Sequence, residues 1–436
     1  MRKNILFIFL LHASHGYTQN ILSSKPVTVS AALEKKVIAW RRNFHENPEL
    51  GNHENRTASI IALHLQQLGI AVKTGVAYTG VVGILVGAKP GPVVALRADM
   101  DALPITENTG LPFASKQKTI YNGNETGVMH ACGHDAHVAI LMGVAELLAS
   151  MKNDIHGTVK FIFQPAEEGV PRGEEGGAEM MVKEGVLKNP DVDAIFGLHI
   201  RSNFPIGKIG YRPGGLYAAV NDMKIIVTGK PAHGAYPWQS IDPIVVSSQI
   251  INSLQTIVSR NVDLTSNPAV VSIGSINGGN RQNIIPEKVE MLGTIRTFTP
   301  ADEEMIINRV KNIVKHTAEA MGATAEVIIP YASHYPVTMN DPLLTQKMLA
   351  SLNVAGKENV VLVNAVTGAE DFSFYQQKVP GMFVMLGAMP RETNPADAPS
   401  HHTAKFVIDE SSFATGVKLL ATLALDYLNI STLNKK

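Results

Sequence analysis

The chain has 436 residues, in which 38 lysines and arginines balance 38 aspartates and glutamates. This balance excludes the strongly basic field of a nucleic-acid-binding protein and the acidic field that would attract a basic partner. Hydrophobic residues make up 45% of the chain and charged residues 17%, a composition typical of globular and not of disordered proteins. A small molecule or a short peptide is therefore the expected ligand, and the length predicts about two or three domains.

The first 20 residues have the pattern of an export signal. Arg2 and Lys3 precede an apolar run over 5–11 and then small residues, and we expect cleavage between Ser14 and Asn20. The apolar run is too short to span a bilayer, and no later stretch is expected to span one. A buried or disordered N-terminal segment is the alternative. The pattern favours a secreted or periplasmic protein whose mature chain makes no membrane contact.

The chain after this segment alternates between predicted helices and predicted strands. Helices are expected over 34–44, over 55–68 with Gly69 at its end, and after His137, and short apolar strands over 93–96, 159–163 and 194–198. This alternation predicts an α/β fold with a mostly parallel sheet flanked by helices. The polar residues that follow these strands are Asp99, Asp101, Glu167, Glu168 and His199. Because the carboxyl ends of parallel strands meet at one edge of a sheet, these side chains are expected to share a site.

The middle of the chain has a different order of elements. Strands are predicted over 223–227, 270–276, 289–295 and 325–329, and helices over 243–258, with Ser240 as the N-cap, and over 300–321. The order βαββαβ is that of a small ferredoxin-like layer. We predict a catalytic domain over 21–216, an inserted smaller domain over 217–329 and a second catalytic segment over 330–436, with a strand over 382–386 and a helix over 413–428.

The run Met129–His137 contains the only cysteine of the chain, Cys132. A single cysteine forms no internal disulfide, and a thiolate among imidazoles and carboxylates suits a divalent metal. The candidate ligands are Cys132, His134, Glu168, His199 and either His401 or His402. Five ligands exceed the four of a closed structural zinc site, which favours two ions joined by a bridging thiolate or carboxylate. Each residue alone is also explained as a small buried side chain, a hydrogen-bonded histidine or a solvated loop residue.

The adjacent pair Glu167 and Glu168 suits hydrolysis. Only one carboxylate needs to bind a metal, and the other is then free to accept a proton from the attacking water and to return it to the leaving nitrogen. The spacing alone does not decide which glutamate has which role.

A series of segments along the chain resembles the dinuclear metal-dependent amidohydrolases related to aminoacylase and carboxypeptidase. The matching segments are RNFHENPEL over 42–50, LRADMDALPI over 96–105, MHACGHDAH over 129–137, FQPAEEG over 163–169, GLH over 197–199, GKPAHGA over 229–235, residues 283–296, AEDFS over 369–373 and residues 402–410. The greatest likeness is to the branch that contains hippurate hydrolase, N-acyl-amino-acid amidohydrolases and the plant auxin-conjugate hydrolases.

The resemblance implies a role for each matching residue in the metal site. The implied metal ligands are Cys132, His134, Glu168, His199 and His402. His402 is favoured over His401 by its sequence context, although Ala404 stands where proline is common in the family. Glu167 falls on the general base, and Asp101 falls on a residue that orients a ligand histidine.

Three further residues match positions that act on the substrate. His233 falls on a histidine that in dimeric relatives reaches the site of the other subunit and stabilises the developing oxyanion. Asn283 and Arg296 fall on positions that bind the substrate carboxylate, which an arginine does through paired hydrogen bonds. A turn asparagine and a surface arginine are the alternatives for these two positions.

The resemblance therefore implies a homodimeric enzyme that hydrolyses the amide bond of N-acyl amino acids or short peptides. It implies two divalent metal ions per subunit, and the mixed ligand set accepts zinc, manganese or cobalt. One alternative is a dipeptidase or metallocarboxypeptidase with the same machinery and a different acyl pocket. The other is a non-catalytic protein of the same fold that binds a ligand or metal, and the presence of both Glu167 and His233 argues against it.

Overall fold

A computed structural model describes residues 27–171, 173–332 and 334–433, so the predicted export signal lies outside the described residues. The helices are α1 (Ala31–Glu46), α2 (Asn55–Gln67), α3 (His134–Ser150), α4 (Gly177–Lys183), α5 (Pro243–Asn261), α6 (Pro300–Ala320), α7 (Pro342–Met348), α8 (Ser373–Gln376) and α9 (Phe413–Leu433). The strands are β1 (Ala71–Val76), β2 (Gly80–Val86), β3 (Lys89–Asp99), β4 (Lys118–Tyr121), β5 (Asn124–Gly127), β6 (His156–Gln164), β7 (Ala194–Arg201), β8 (Ile209–Tyr211), β9 (Gly214–Tyr217), β10 (Ala219–Thr228), β11 (Ala232–His233), β12 (Val270–Gly278), β13 (Ile284–Ile285), β14 (Lys288–Thr297), β15 (Thr324–Ile328), β16 (His334–Tyr335), β17 (Thr338–Asn340), β18 (Val360–Leu362) and β19 (Gly381–Gly387).

The larger sheet has eight strands in the order β1-β2-β6-β3-β7-β19-β8-β18. Its centre is parallel, because β3 runs parallel to both β6 and β7, and β7 runs parallel to β19. The predicted α/β fold with a mostly parallel sheet is thus confirmed. The hairpin of β1 and β2 adds two antiparallel strands to the edge. The sequence analysis did not predict β1, which exposes most of its side chains and so lacks a continuous apolar run.

Helix α3 lies in the main core, where it packs against the sheet and against helices α1 and α9. Its residues from His134 to Ala145 are all buried. Gly143 allows the close approach of α1, because a Cβ atom at this position would lie 2.7 Å from Val37 Cγ2. Close packing of this kind tolerates little displacement. The first turn of α3 is therefore held rigidly at the carboxyl edge of the parallel strands.

Helix α9 covers the same face of the sheet and corrects one expectation. The stretch Glu410–Ile430 is long and apolar enough, by length and composition, to cross a membrane, whereas no such stretch was expected after the N-terminus. Within the described residues this stretch is 61% buried inside the fold. Its apolar side chains, such as Val417, Leu420 and Leu423, belong to the main core. Burial against the sheet accounts for its composition, since a core helix is apolar on most of its faces.

The second sheet is antiparallel, with the order β12-β14-β10-β15, and β16 also pairs with β10. Helices α5 and α6 share a hydrophobic core with it. The elements follow the predicted βαββαβ order along the chain. The N-cap of α5 is Asp242, which accepts from the N–H groups of Ile244 and Val245, so the prediction of Ser240 was wrong. Pro243 occupies the first helical position, and the cap is therefore the residue directly before it.

Candidate metal centre

The predicted site residues come together at the carboxyl edge of the larger sheet. β3 ends at Asp99, β6 is followed closely by Glu167 and Glu168, and β7 carries His199 near its end. The first turn of α3, which starts at His134, reaches the same edge. Since β3, β6 and β7 are parallel neighbours, the fold brings residues from distant parts of the chain to one place.

Cys132 lies at the centre of this group. Its Sγ atom is 3.4 Å from His199 Nε2 and 3.3 Å from His402 Nε2. Glu168 Oε1 is 3.1 Å from His402 Nε2 and 3.9 Å from His134 Nε2. The structure thus brings all five predicted ligands together, although Cys132 and His402 are 270 positions apart in sequence.

The donor atoms fall into groups that share the sulfur. One group is Cys132, His134 and Glu168, and another is Cys132, His199 and His401, with the donor atoms of each group within 4.8 Å of one another. The sulfur is therefore close to donor atoms in two parts of the cluster, as a ligand shared between two ions would be. His134 Nε2 is a buried atom that has no hydrogen-bond partner. Buried polar atoms are rarely left unpaired, so these residues fit a bound divalent ion.

The carboxylate of Asp101 orients two of these ligands. His134 Nδ1 lies 3.1 Å from Asp101 Oδ1 and 2.9 Å from the carbonyl oxygen of the same residue. The other carboxylate oxygen of Asp101 accepts a hydrogen bond of 2.8 Å from the backbone N–H of Glu168. His134 Nδ1–H therefore donates to Asp101, and Nε2 is the atom that faces the cluster and that would offer a lone pair once the ring is neutral.

Burial and neighbouring carboxylates shift the pKa values of two residues of the cluster, Cys132 and His134. Burial and the neighbouring carboxylates of Glu168 and Glu167 raise the pKa of the Cys132 thiol well above its usual range. Burial lowers the pKa of His134, but the carboxylates of Asp99 and Asp101 outweigh it and raise this pKa to about 10. Both groups therefore hold protons in the absence of metal, and divalent cations would take the place of those protons.

Glu167 lies beside the ligands but faces a second group of carboxylates. Its Oε2 is 3.8 Å from His134 Nε2, and its Oε1 accepts from the backbone N–H of Asp371 at 3.4 Å. Burial, followed by the charges of Glu370 and Glu168, raises the pKa of Glu167 well above its usual range. A carboxylate with an increased proton affinity, close to but separate from the ligand atoms, suits a general base.

Arg97 holds the carboxylates beneath the site. This fully buried guanidinium donates to Gln164 Oε1 at 2.8 Å and to Asp99 Oδ2 at 2.6 Å. Its Nη2 lies 2.8 Å from Asp371 and 3.0 Å from Glu370. The sequence analysis assigned no role to Arg97, because its partners come from strands and loops up to 274 positions away.

Replacing Arg97 with methionine is expected to destabilise the metal-free protein by about 3–5 kcal/mol, since it leaves several buried carboxylates without their cation. Urea denaturation followed by circular dichroism would measure the change. Arg42→Met is the matched control, because the side chain of Arg42 is 50% exposed where it pairs with Glu410. That variant is expected to lose about 1 kcal/mol or less. Equal losses in the two variants would contradict the anchoring role of Arg97.

A second buried network fixes the first turn of α3. Arg41 Nε and His45 Nδ1, both on α1, lie 2.8 and 2.7 Å from Asp135 Oδ2. Although burial opposes it, these two partners hold the pKa of Asp135 well below its usual range. Asp135 directly follows His134, a predicted ligand, so this ionic contact between helices fixes the position of that residue. The partners of Asp135 on α1 were not predicted from the sequence.

The three predicted substrate residues lie in the second sheet and its connections. His233, in β11, is exposed, and its Nδ1 accepts from the N–H of Ala235 at 3.0 Å. Asn283 is close to it, because the Gly234 N–H donates to the carbonyl of Asn283 at 2.8 Å. Arg296, in β14, donates to Thr294 Oγ1 at 2.7 Å. No hydrogen bond or ion pair among the described residues joins these three to the metal-ligand cluster.

The chain matches a protein-family model and well-described relatives. The model of peptidase family M20/M25/M40 matches residues 95–426. Thermostable carboxypeptidase 2 of Saccharolobus solfataricus is 42% identical over 398 residues, which cover 91% of this chain and 96% of the relative. IAA-amino acid hydrolase ILR1-like 4 of Arabidopsis thaliana is 37% identical over 450 residues, which cover 99% of this chain and 98% of the relative.

A solved structure shows the same architecture. The crystal structure of the Bacillus subtilis YXEP protein, described as a dinuclear metal binding peptidase from the M20 family, superposes with a TM-score of 0.76 at 35% identity. The match covers 92% of this chain and 99% of that chain. The resemblance found in the sequence is thereby confirmed, together with the fold and the two divalent ions.

Proposed function

The chain belongs to peptidase family M20/M25/M40, a premise from which we propose that it hydrolyses the amide bond of N-acyl amino acids, with Glu167 as the general base. Metal-dependent hydrolysis of amides is the activity of the family branch to which it belongs. When bound, two divalent ions acidify water and polarise the carbonyl group under attack. Cys132, His134, Glu168, His199 and His402 are the residues that would hold them.

The position of Glu167 carries the proposal. Its carboxylate lies 3.8 Å from His134 Nε2, whereas the carboxylate of Glu168, the predicted ligand, contacts His402 Nε2. Glu167 accepts a proton from the attacking water and delivers it to the leaving nitrogen. The phenol of Tyr335 donates to the Glu167 carbonyl oxygen at 2.9 Å and so helps to fix the backbone of the base.

A leaving group that is an amino acid carries a carboxylate, and Asn283 and Arg296 are suited to bind that carboxylate. Arg296 is partly buried and always cationic, and a carboxylate is the natural partner of its planar fork. Relatives differ in what precedes the scissile bond, because one is named an IAA-amino acid hydrolase and the other a carboxypeptidase. The group before the scissile bond therefore distinguishes the two functions. An enzyme that hydrolyses N-acyl amino acids accepts a simple acyl group there, whereas a dipeptidase or carboxypeptidase accepts an amino acid or a peptide.

A screen on metal-reconstituted protein tests this function. N-acetyl, N-benzoyl and indole-3-acetyl amino acids would be compared with dipeptides that carry the same C-terminal residue. We expect kcat/KM to be at least about tenfold higher for the acyl amino acids, a difference of about 1.4 kcal/mol in transition-state binding. A preference for dipeptides would favour the carboxypeptidase alternative. Inertness toward every amide with both ions bound would favour a binding protein.

We propose a homodimer in which His233 serves the site of the other subunit. The second sheet and its connections expose large apolar side chains, including Trp238 at 75% and Ile276 at 49%, and Ile276 lies on the edge strand β12. Such a surface is typical of a protein interface. Because His233 Nδ1 accepts a hydrogen bond, its proton is on Nε2, which is the donor that an oxyanion requires.

His233→Ala is expected to lower kcat by about 100- to 1,000-fold while both ions stay bound. Mixing this variant with Glu167→Gln provides the decisive measurement. If His233 acts across the dimer, each hybrid dimer has one site with both an intact Glu167 and an intact His233. Equal mixing makes about half of the dimers hybrid, so the mixture is expected to recover about a quarter of the wild-type activity. A mixture that stays inactive after verified subunit exchange would contradict the role across the interface.

We also propose that an export signal within the first 20 residues is removed and that the mature enzyme is secreted or periplasmic. The charged start, the apolar run and the small residues that follow it support this proposal. N-terminal sequencing of the protein purified from its native host would reveal a new terminus between Ser14 and Asn20. An intact Met1 in that material would refute the proposal.

A further inference from the structure

His401 is a third imidazole beside the sulfur of Cys132. Its Nδ1 lies 3.7 Å from Cys132 Sγ, within the range of a hydrogen bond to sulfur. His199 and His402 approach the same sulfur through their Nε2 atoms, at 3.4 and 3.3 Å. Proximity alone therefore makes His401 as good a candidate ligand as the other two histidines.

The hydrogen bond on the far side of the ring distinguishes His401 from a ligand. The backbone N–H of Ser202 donates to His401 Nε2 at 3.3 Å. A backbone N–H only donates, so Nε2 carries no proton and the proton of the ring must be on Nδ1. The atom of His401 that faces the sulfur is consequently an N–H group and not a lone pair.

His199 has the opposite tautomer. Its Nδ1 is 2.7 Å from the carbonyl oxygen of Ile200, an acceptor, so Nδ1 carries the proton. The Nε2 atom that approaches Cys132 is therefore a lone pair, as a metal ligand requires. The two rings thus present different groups to the same sulfur, one a lone pair and the other a donor.

The surroundings hold the ring of His401 in this orientation. It packs against Phe406, with ring centroids 4.8 Å apart, and against His199, at 5.4 Å. Ser202 Oγ donates to the carbonyl oxygen of Pro399 at 2.6 Å, which ties the end of β7 to the loop that carries His401. A ring that contacts two neighbouring rings and is held by a hydrogen bond at Nε2 has little freedom to turn Nδ1 away from the sulfur.

We propose that His401 donates a hydrogen bond to the Cys132 thiolate and is not itself a metal ligand. The donated hydrogen bond stabilises the negative charge on the sulfur and reduces how much of that charge the sulfur donates to bound cations. His401 is in this sense a positioning residue that acts through Cys132. The inference rests on the proposed ligand role of Cys132, but not on the identity of the substrate.

Cobalt(II)-loaded protein provides a direct test, because the energy of the thiolate-to-cobalt charge-transfer band reports the charge on the sulfur. His401→Phe keeps the ring packing and removes the N–H, whereas His401→Asn offers an amide N–H near the position of Nδ1. We expect two ions per chain in both variants, a band at lower energy in His401→Phe, and a band close to that of the wild type in His401→Asn. His402→Phe is the control and is expected to lose metal.

Two results would contradict the donor role of His401 and leave the ligand role of Cys132 intact. One is the loss of an ion in His401→Phe, which would make His401 a ligand, and the other is a band that this variant leaves unchanged. A wild-type cobalt protein without any thiolate band would instead refute the ligand role of Cys132, and the inference with it. Failure of the inference is thus distinct from failure to hydrolyse a given amide.

Discussion

Glu167→Gln is expected to keep both metal ions and to lower kcat by about 1,000-fold or more. The amide has nearly the same size as the carboxylate, so packing at this buried position is preserved. It cannot accept a proton from water at neutral pH, and the leaving nitrogen then departs without the proton it needs. A factor of this size corresponds to about 4 kcal/mol of activation free energy.

The measurement combines single-turnover kinetics on an N-acyl amino acid with elemental analysis of the same sample. Glu168→Gln is the matched control, because its carboxylate lies 3.1 Å from His402 Nε2 within the ligand group. It is expected to lose metal as well as activity. A Glu167→Gln enzyme within about tenfold of the wild type, or about 1.4 kcal/mol, would show that another group moves the proton.

Cys132→Ala is expected to lose bound metal and most activity, because the sulfur lies 3.4 Å from His199 Nε2 and 3.3 Å from His402 Nε2, beside two of the other predicted ligands. Removing a residue outside the ligand set typically costs about 10- to 100-fold in metal affinity, and removing a shared ligand is expected to cost more. Elemental analysis after dialysis against a weak chelator would measure the loss. Two ions per chain in the variant would contradict a bridging thiolate.

The same variant is expected to change how metal affinity depends on pH. The raised pKa of the Cys132 thiol means that it is protonated in the metal-free protein at neutral pH, and metal binding must release that proton. Apparent affinity in the wild type therefore falls as the pH falls, by about tenfold per pH unit for each proton released. Calorimetry in buffers of different ionisation enthalpy should count about one proton fewer in Cys132→Ala. An unchanged count would mean that the thiol does not ionise on binding.

Much of the fold was predictable, because its central strands and long helices carry strong local patterns. The strands that deliver Asp99, Glu167 and His199 are apolar runs that end in polar residues, and α5 and α6 have clear starts at proline. The βαββαβ order follows from these elements alone. Solitary Cys132 and the paired glutamates identified the chemistry, and the family resemblance then supplied the roles.

The contacts that support the site were not predictable from one sequence. Arg97 pairs with Asp99, Glu370 and Asp371 because the fold brings β3 close to a loop from late in the chain. No local sequence pattern predicts that contact. The tautomer of His401 likewise depends on a backbone N–H from β7. Sequence patterns thus predict which side chains belong to the site, whereas the hydrogen-bond and ion-pair partners of these side chains depend on contacts between distant parts of the chain.

The position of α9 in the sequence has a consequence for how the two parts of the fold form. It packs on β3, β7 and α3, which position the candidate site, although the whole of the second sheet separates α9 from them along the chain. The second sheet, in contrast, has all of its strands and helices within one continuous stretch. The second sheet is therefore expected to form through contacts between near neighbours in sequence, whereas the packing of α9 beside the site requires the closure of a long loop and is expected to be slower.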